Sequence, residues 1–220
     1  MAKEIKNENV EAVVEAVSKT EKFFNENGKV LGLAAAAVVA VAAIIFCVNK
    51  FVYQPAQAEA QGQMAIAEEN FRTGDYELAL NGDGNVLGFA QIIDEYGAKA
   101  GKAAPFYAGV CELQLGNWEL ALDYLKAYKG KDAILKARAI ACMGDAYVGL
   151  EEYTKALGCF EKAAAVVDNM FAAGYLLKAG VVAEKLGQNE KALAFYTQIQ
   201  EQYPDSMEGY EIAKYIGRLQ

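Results

Sequence analysis

Three stretches of the chain repeat one another: LGNWELALDYL at 115–125, LEEYTKALGCF at 150–160 and LGQNEKALAFY at 186–196. The Ala before the second Leu of each falls at Ala121, Ala156 and Ala192, spacings of 35 and 36. Upstream, Gly109, Gly144 and Gly180 keep the same step. A period of this length constrains the fold more than any bulk property. One helical hairpin per period cannot bury its apolar face alone, so neighbouring hairpins must stack into a solenoid. Three Pro in 220 residues agree with a mostly helical chain.

The pattern resembles the tetratricopeptide repeat, two antiparallel helices with small residues where they cross, an aromatic late in the second helix and a closing Pro. In the middle repeat Gly144 and Tyr147 fit the first helix, and Tyr153, Ala156, Phe160 and Ala163 fit the second. Pro204 falls at the closing position of the last repeat. An irregular unit precedes these. Gly74-Asp75-Tyr76-Glu77-Leu78-Ala79 matches the inter-helix turn, but Asn81-Gly82-Asp83-Gly84-Asn85 interrupts it, and Ala79 to Ala121 spans 42 residues. Beyond the insertion, 86–96 reads as an amphipathic helix. Tyr210, Ala213, Lys214 and Gly217 belong to a final helix that caps the stack. The expected fold is therefore all-α, a single N-terminal transmembrane helix followed by an α-solenoid of tetratricopeptide-type hairpins. Its parts are an irregular repeat at 64–100, repeats at 102–135, 137–170 and 173–206, and a cap at 206–218.

The transmembrane expectation rests on residues 30–48, VLGLAAAAVVAVAAIIFCV, 19 residues without a charge. As a helix this run spans roughly 28 Å, close to the ~30 Å hydrocarbon core of a bilayer. A buried core helix is the alternative. A cleaved signal peptide fits less well, because the preceding region is long and Ala56-Gln57-Ala58 lies late for cleavage. Lys19, Lys22 and Lys29 flank one end, whereas Lys50 is followed by no basic residue until Arg72. That bias places residues 1–29 in the cytoplasm and the repeats outside. The whole net charge of −8 lies in 51–220. Gly28, Gly32, Ala36 and Ala40 form a track of small residues suited to packing on another membrane helix. Val10, Val13, Val14, Val17, Phe23 and Phe24 make the tail amphipathic, as a contact for a membrane partner or as a helix without one. Residues 49–63, with Pro55 and few charges, read as a linker that turns helical from Ala56.

Chemistry is sparse. The chain has no His, which excludes Ser-His-Asp and Cys-His nucleophiles and imidazole metal ligands. Ser18 and Ser206 are its only serines. An acidic chain is a poor general binder of nucleic acid. Asn81, Asp83 and Asn85 have the spacing that opens a calcium loop, but Val86 and Ile92 stand where Gly and Glu are required, so the stretch reads as a turn. Cys47 lies in the apolar run. Cys111, Cys142 and Cys159 sit at helical positions and read as buried free thiols. No catalytic, metal or cofactor site and no small-molecule substrate is expected.

The candidate partner surface is the face formed by the first helix of each repeat. The register assigns to it Phe106, Val110 and Leu113, then Arg138, Ala141, Asp145 and Val148, then Leu177, Val181 and Glu184. Some tetratricopeptide domains hold a carboxyl terminus with Lys and Asn at such places. Here apolar residues dominate, which suits non-polar segments of a partner. The alternative is that the chain's own helices, 56–72 or the C-terminal one, cover them.

The segment Glu21-Lys22-Phe23-Phe24-Asn25-Glu26-Asn27-Gly28-Lys29, running into the apolar span, resembles the start of the YfgM family. Those are bacterial inner-membrane proteins with a short cytoplasmic tail, one transmembrane helix and a periplasmic tetratricopeptide domain. The family is associated with the Sec translocon and with periplasmic chaperones. The resemblance implies a single-pass inner-membrane protein with residues 49–220 in the periplasm. It implies a non-enzymatic chaperone or ancillary translocon subunit, with exported unfolded chains, translocon subunits or envelope proteins as partners. A scaffold holding one folded envelope partner is the alternative. The chain departs from the family at the NGDGN insertion and the three outer cysteines.

Overall fold

The computed structural model describes the backbone of residues 2–220 and the side chains of 17–23 and 25–220. It divides into two compact units, one ending at Pro55 and the other comprising Ala56–Gln220.

The first unit is α1 (Ala2–Val48) followed by a π-helical stretch, Asn49–Tyr53. Among the described residues one helical span is long and apolar enough to cross a membrane, and none of its apolar window is buried. Val17 and Phe23 are exposed. The other members of the tail's amphipathic pattern, Val10, Val13, Val14 and Phe24, lie outside the described side chains. Residues 49–63, read above as a linker, are helical throughout, because α2 runs from Gln54 to Thr73. Pro55 cannot donate to a carbonyl one turn back, and the backbone widens to a π turn just before it.

The second unit is a row of helical hairpins: α2 with α3 (Tyr76–Asn81) and α4 (Phe89–Tyr96), α5 (Ala104–Gln114) with α6 (Trp118–Ala127), α7 (Ala133–Gly149) with α8 (Tyr153–Val166), and α9 (Met170–Lys185) with α10 (Asn189–Gln202). The last helix, α11 (Met207–Gly217), stands where a next first helix would. Within each regular hairpin one small residue meets one large one sixteen positions later. A Cβ added at Gly109 would lie 2.7 Å from Leu125, at Gly144 2.6 Å from Phe160, and at Gly180 2.2 Å from Tyr196. Ala121, Ala156 and Ala192 are fully buried beside these crossings. Close approach of the two backbones is thus what the recurring glycines supply.

Each turn between paired helices closes by the same hydrogen bonds. Asn117 N–H donates to Glu112 O at 2.9 Å, Glu152 N–H to Tyr147 O at 2.8 Å and Gln188 N–H to Ala183 O at 2.9 Å, with left-handed residues at Gly116, Glu151 and Gly187. This is the Schellman closure of a helix end.

In the irregular hairpin the insertion splits the second helix. Asp83 Oδ1 accepts from Asn85 N–H at 2.9 Å and Val86 N–H at 3.0 Å, which fixes NGDGN as a turn. Those backbone hydrogen bonds, Asn85's first, hold the Asp83 carboxyl below its ordinary range. The aromatic that α8 and α10 place late in the second helix arrives here as Phe89, fully buried and stacked on Tyr107 at 5.2 Å. At the far end Ser206 caps α11, its Oγ accepting from Gly209 N–H at 3.0 Å, and Ile212 buries against α9 and α10.

Candidate functional site

An apolar cleft of about 260 Å³ opens between α7, α9 and α11. Val148 comes from α7, Leu177, Val181 and Val182 from α9, Phe160 from α8 and Tyr215 from α11. These positions converge because α7 and α9 are first helices of successive hairpins in the same register, and α11 extends that series. Lys178 lays its stem along the cleft with its ammonium 5.6 Å from the centre of the Phe160 ring.

Two ion pairs border the cleft. Lys178 Nζ donates to both oxygens of Asp145 at 2.7 Å, tying α9 to α7. Arg218 donates from Nε to Glu184 Oε2 at 3.1 Å and from Nη2 to Oε1 at 2.5 Å, tying the segment after α11 to α9. The Tyr196 hydroxyl also donates to Glu184 Oε1. Burial works against the Glu184 charge, but the hydrogen bonds from Arg218 and Tyr196 outweigh it and hold the carboxyl below its ordinary range. Burial, and then the bond to Glu184, pushes the Tyr196 hydroxyl upward. The Arg218 guanidinium lies 4.8 Å from the Tyr215 ring centre, a cation–π contact that backs this wall.

Residues 175–206, the body of α9 together with α10, match the tetratricopeptide repeat. The fold is a tetratricopeptide-type α-solenoid. Solved structures agree. A crystal structure of a MamA protein has a TM-score of 0.57 at 20% identity, covering 73% of this chain and 80% of that one. The MamA 41-end chain from Desulfovibrio magneticus RS-1 has a TM-score of 0.55 at 17% identity, covering 78% and 97%. A MamA RS-1 ArsTM double mutant has a TM-score of 0.54 at 16% identity, covering 88% and 94%. At these identities the likeness is one of fold. No curated protein matches the chain at a significant level.

The tetratricopeptide register places the expected partner-facing residues unevenly. Val148, Leu177 and Val181 line the cleft, and Asp145 and Glu184 stand on its borders in ion pairs. Arg138 is exposed on α7 and does not line the cleft. The expectation of an open surface at Phe106, Val110, Leu113 and Ala141 is corrected, because all four are buried. Phe106, Val110 and Leu113 pack with Ala139, Cys142 and Ala146 of α7, and Phe106 meets the rings of Tyr107 at 5.6 Å and Tyr128 at 5.9 Å. Large side chains at these positions fill the seam to the next hairpin instead of facing out. Ala141 packs in the core around α8 and α9. The C-terminal helix does not cover the remaining groove; through Tyr215 it supplies one wall.

Sequence reasoning did not assign Lys178, Val182, Tyr215 or Arg218 to this face. Lys178 follows Leu177 directly, and Tyr215 and Arg218 belong to a cap whose side chains the repeat register does not describe.

Gly28, Gly32, Ala36 and Ala40 are exposed on α1, and a Cβ at either glycine would meet nothing within 4 Å. Cys111 and Cys142 are buried, with thiols pushed by burial up to about 12 and about 11; Cys159 is half-buried and shifted the same way. Such thiols stay protonated and inert at neutral pH. Among the described residues no group of three or more acidic or Cys side chains is placed to hold a metal ion.

Proposed function

We propose that this chain is a non-enzymatic, membrane-anchored tetratricopeptide protein that receives exported polypeptides, a periplasmic chaperone or ancillary translocon subunit. The observation that carries this reading is the apolar cleft of Val148, Leu177, Val181 and Tyr215 on the first-helix face of the solenoid. Apolar grooves of this kind suit extended segments of other chains. The exposed apolar helix over 30–48 supports the anchor, and the Lys bias around it supports a cytoplasmic N-terminus with residues 49–220 in the periplasm. Tethering raises the local concentration of the cleft beside the membrane, so weak and general binding is enough. The resemblance of residues 21–32 to YfgM proteins agrees with a place beside the Sec translocon.

Photo-crosslinking in intact cells tests the reading, with probes at Leu177 and Val181 and products identified by mass spectrometry. A ladder of secreted and envelope proteins is the expected result, with translocon subunits captured from a probe near Gly32. One dominant folded partner would instead make the protein a scaffold of an envelope complex. Cytoplasmic partners alone would reverse the topology.

A further inference from the structure

The cleft has a size and a charge pattern that say more about its occupant, given that it binds polypeptide as proposed above. We infer that it is a single-side-chain anchor, taking one aromatic or large aliphatic side chain from an uncharged, internal stretch of an extended chain.

Size comes first. A dry apolar cavity of about 150 Å³ accepts a benzene ring, whereas small-molecule sites run from about 300 Å³ upward. At about 260 Å³ the cleft lies between these, with room for one large side chain and the backbone atoms that bring it. Its lining suits a ring or a branched aliphatic group. Phe160 and Tyr215 offer aromatic surfaces, and Val148, Leu177, Val181 and Val182 fill the space between them.

Charge decides the rest. Three cations on α9 and at the C-terminal helix already have carboxylates from this chain: Lys178 has Asp145, Arg218 has Glu184 and Lys214 has Glu211. Among the described residues that line the cleft, Lys178 is the one charged side chain, and Asp145 already holds its ammonium, so the lining offers no free cation to a terminal carboxylate. A charged side chain entering the cleft would exchange its hydration for an apolar lining whose one cation, Lys178, is already held by Asp145. The partner's anchor is therefore apolar, and the segment around it is uncharged and need not end there.

The test uses the full chain in lipid nanodiscs, with the Leu177 and Val181 methyl groups followed by NMR, which reads affinities into the millimolar range. Acetylated, amidated ten-residue peptides of Gly, Ser and Asn carry one central residue: Phe, Leu, Ala or Asp. The Phe and Leu peptides are expected to shift both methyls. The Ala and Asp peptides should bind roughly 10- to 100-fold more weakly, the loss that follows from one large apolar side chain left unburied. A Phe-terminated peptide with a free carboxylate should gain nothing over its amide. Val181→Asp should abolish the Phe preference; Val181 is 45% exposed, so the fold tolerates the change. Leu120→Asp, at a slightly more exposed position on α6, should leave it intact.

Equal binding of Phe and Ala peptides, preference for the free carboxylate, or binding indifferent to Val181→Asp overturns the anchor. If crosslinks from Val181 persist in cells while Phe and Ala peptides bind alike, the anchor fails and the polypeptide-binding reading stands. If peptides and crosslinks are both absent, both fail.

Discussion

At the scale of single residues, the turn positions set a clean comparison. Gly74, Gly116 and Gly187 close their hairpins in the left-handed region, and Glu151 does the same work at φ 60°. A residue with a Cβ pays about 1–2 kcal/mol for that conformation, part of which Gly would return through its larger unfolded-state entropy. Glu151→Gly is therefore expected to stabilise the solenoid by about 0.5–1 kcal/mol in urea unfolding, whereas Glu151→Ala should not. The helix-crossing glycines behave in the opposite sense. Gly→Ala inside a helix ordinarily stabilises by about 1 kcal/mol. At Gly180 the added methyl would lie 2.2 Å from the Tyr196 ring, which is fully buried and held by Glu184. Gly180→Ala should destabilise by about 1–3 kcal/mol. Gly109→Ala should cost less, because the group in its way at 2.7 Å is the branched, more adaptable Leu125.

At the scale of elements, α11 depends on its ties to α9. Its wall residue Tyr215 is positioned by Arg218, and Arg218 by Glu184. Because the Glu184 carboxyl is held below its ordinary range, the tie contributes stability above the unfolded value, near pH ~4.3, and loses it as pH falls through the folded one. Wild type should exceed Glu184→Gln by about 1 kcal/mol or less between pH 5 and 7, the pair being partly exposed. That gap should narrow as pH falls below the unfolded value and close once the folded carboxyl is protonated, in melts recorded across the range; a gap that does not change with pH would assign the effect to packing rather than charge. The same helix marks the limit of what the sequence reveals. The pairing of Gly144 with Phe160, or of Gly180 with Tyr196, lies within one hairpin, so a fixed local spacing exposes it. The burial of Phe106, Val110 and Leu113 depends on how α7 lies over α5, and no periodicity within α5 encodes that. Val148 and Leu177 were legible as cleft residues because their register is shared by successive first helices. Tyr215 and Arg218 were not, since the cap departs from the repeat that made the others readable. Residues 49–63 looked like a linker for a local reason: Pro55 signals a break, and the π turn before it absorbs the fault.

At the scale of the whole molecule, the chain divides its chemistry in two. Residues 1–50 carry no net charge and hold the apolar helix, while 51–220 carry all of the −8. The proposed arrangement puts that acidic solenoid outside the cytoplasm, and the thiols provide a way to read it. Cys111 and Cys142 are buried, with their thiols pushed to about 12 and about 11, so neither reacts with a maleimide in the folded protein. Replacing half-buried Cys159 and exposed Cys47 by Ser leaves a background that is silent until denatured. A single new thiol, Glu201→Cys on the exposed side of α10, then reports location. A membrane-impermeant maleimide should label it in intact spheroplasts to the same extent as after lysis. Labelling that requires lysis would place the solenoid in the cytoplasm and remove exported chains from the reach of the cleft. In the same cells the full chain should sediment with membranes at high salt, and a chain lacking residues 2–48 should not, since only the apolar helix resists salt.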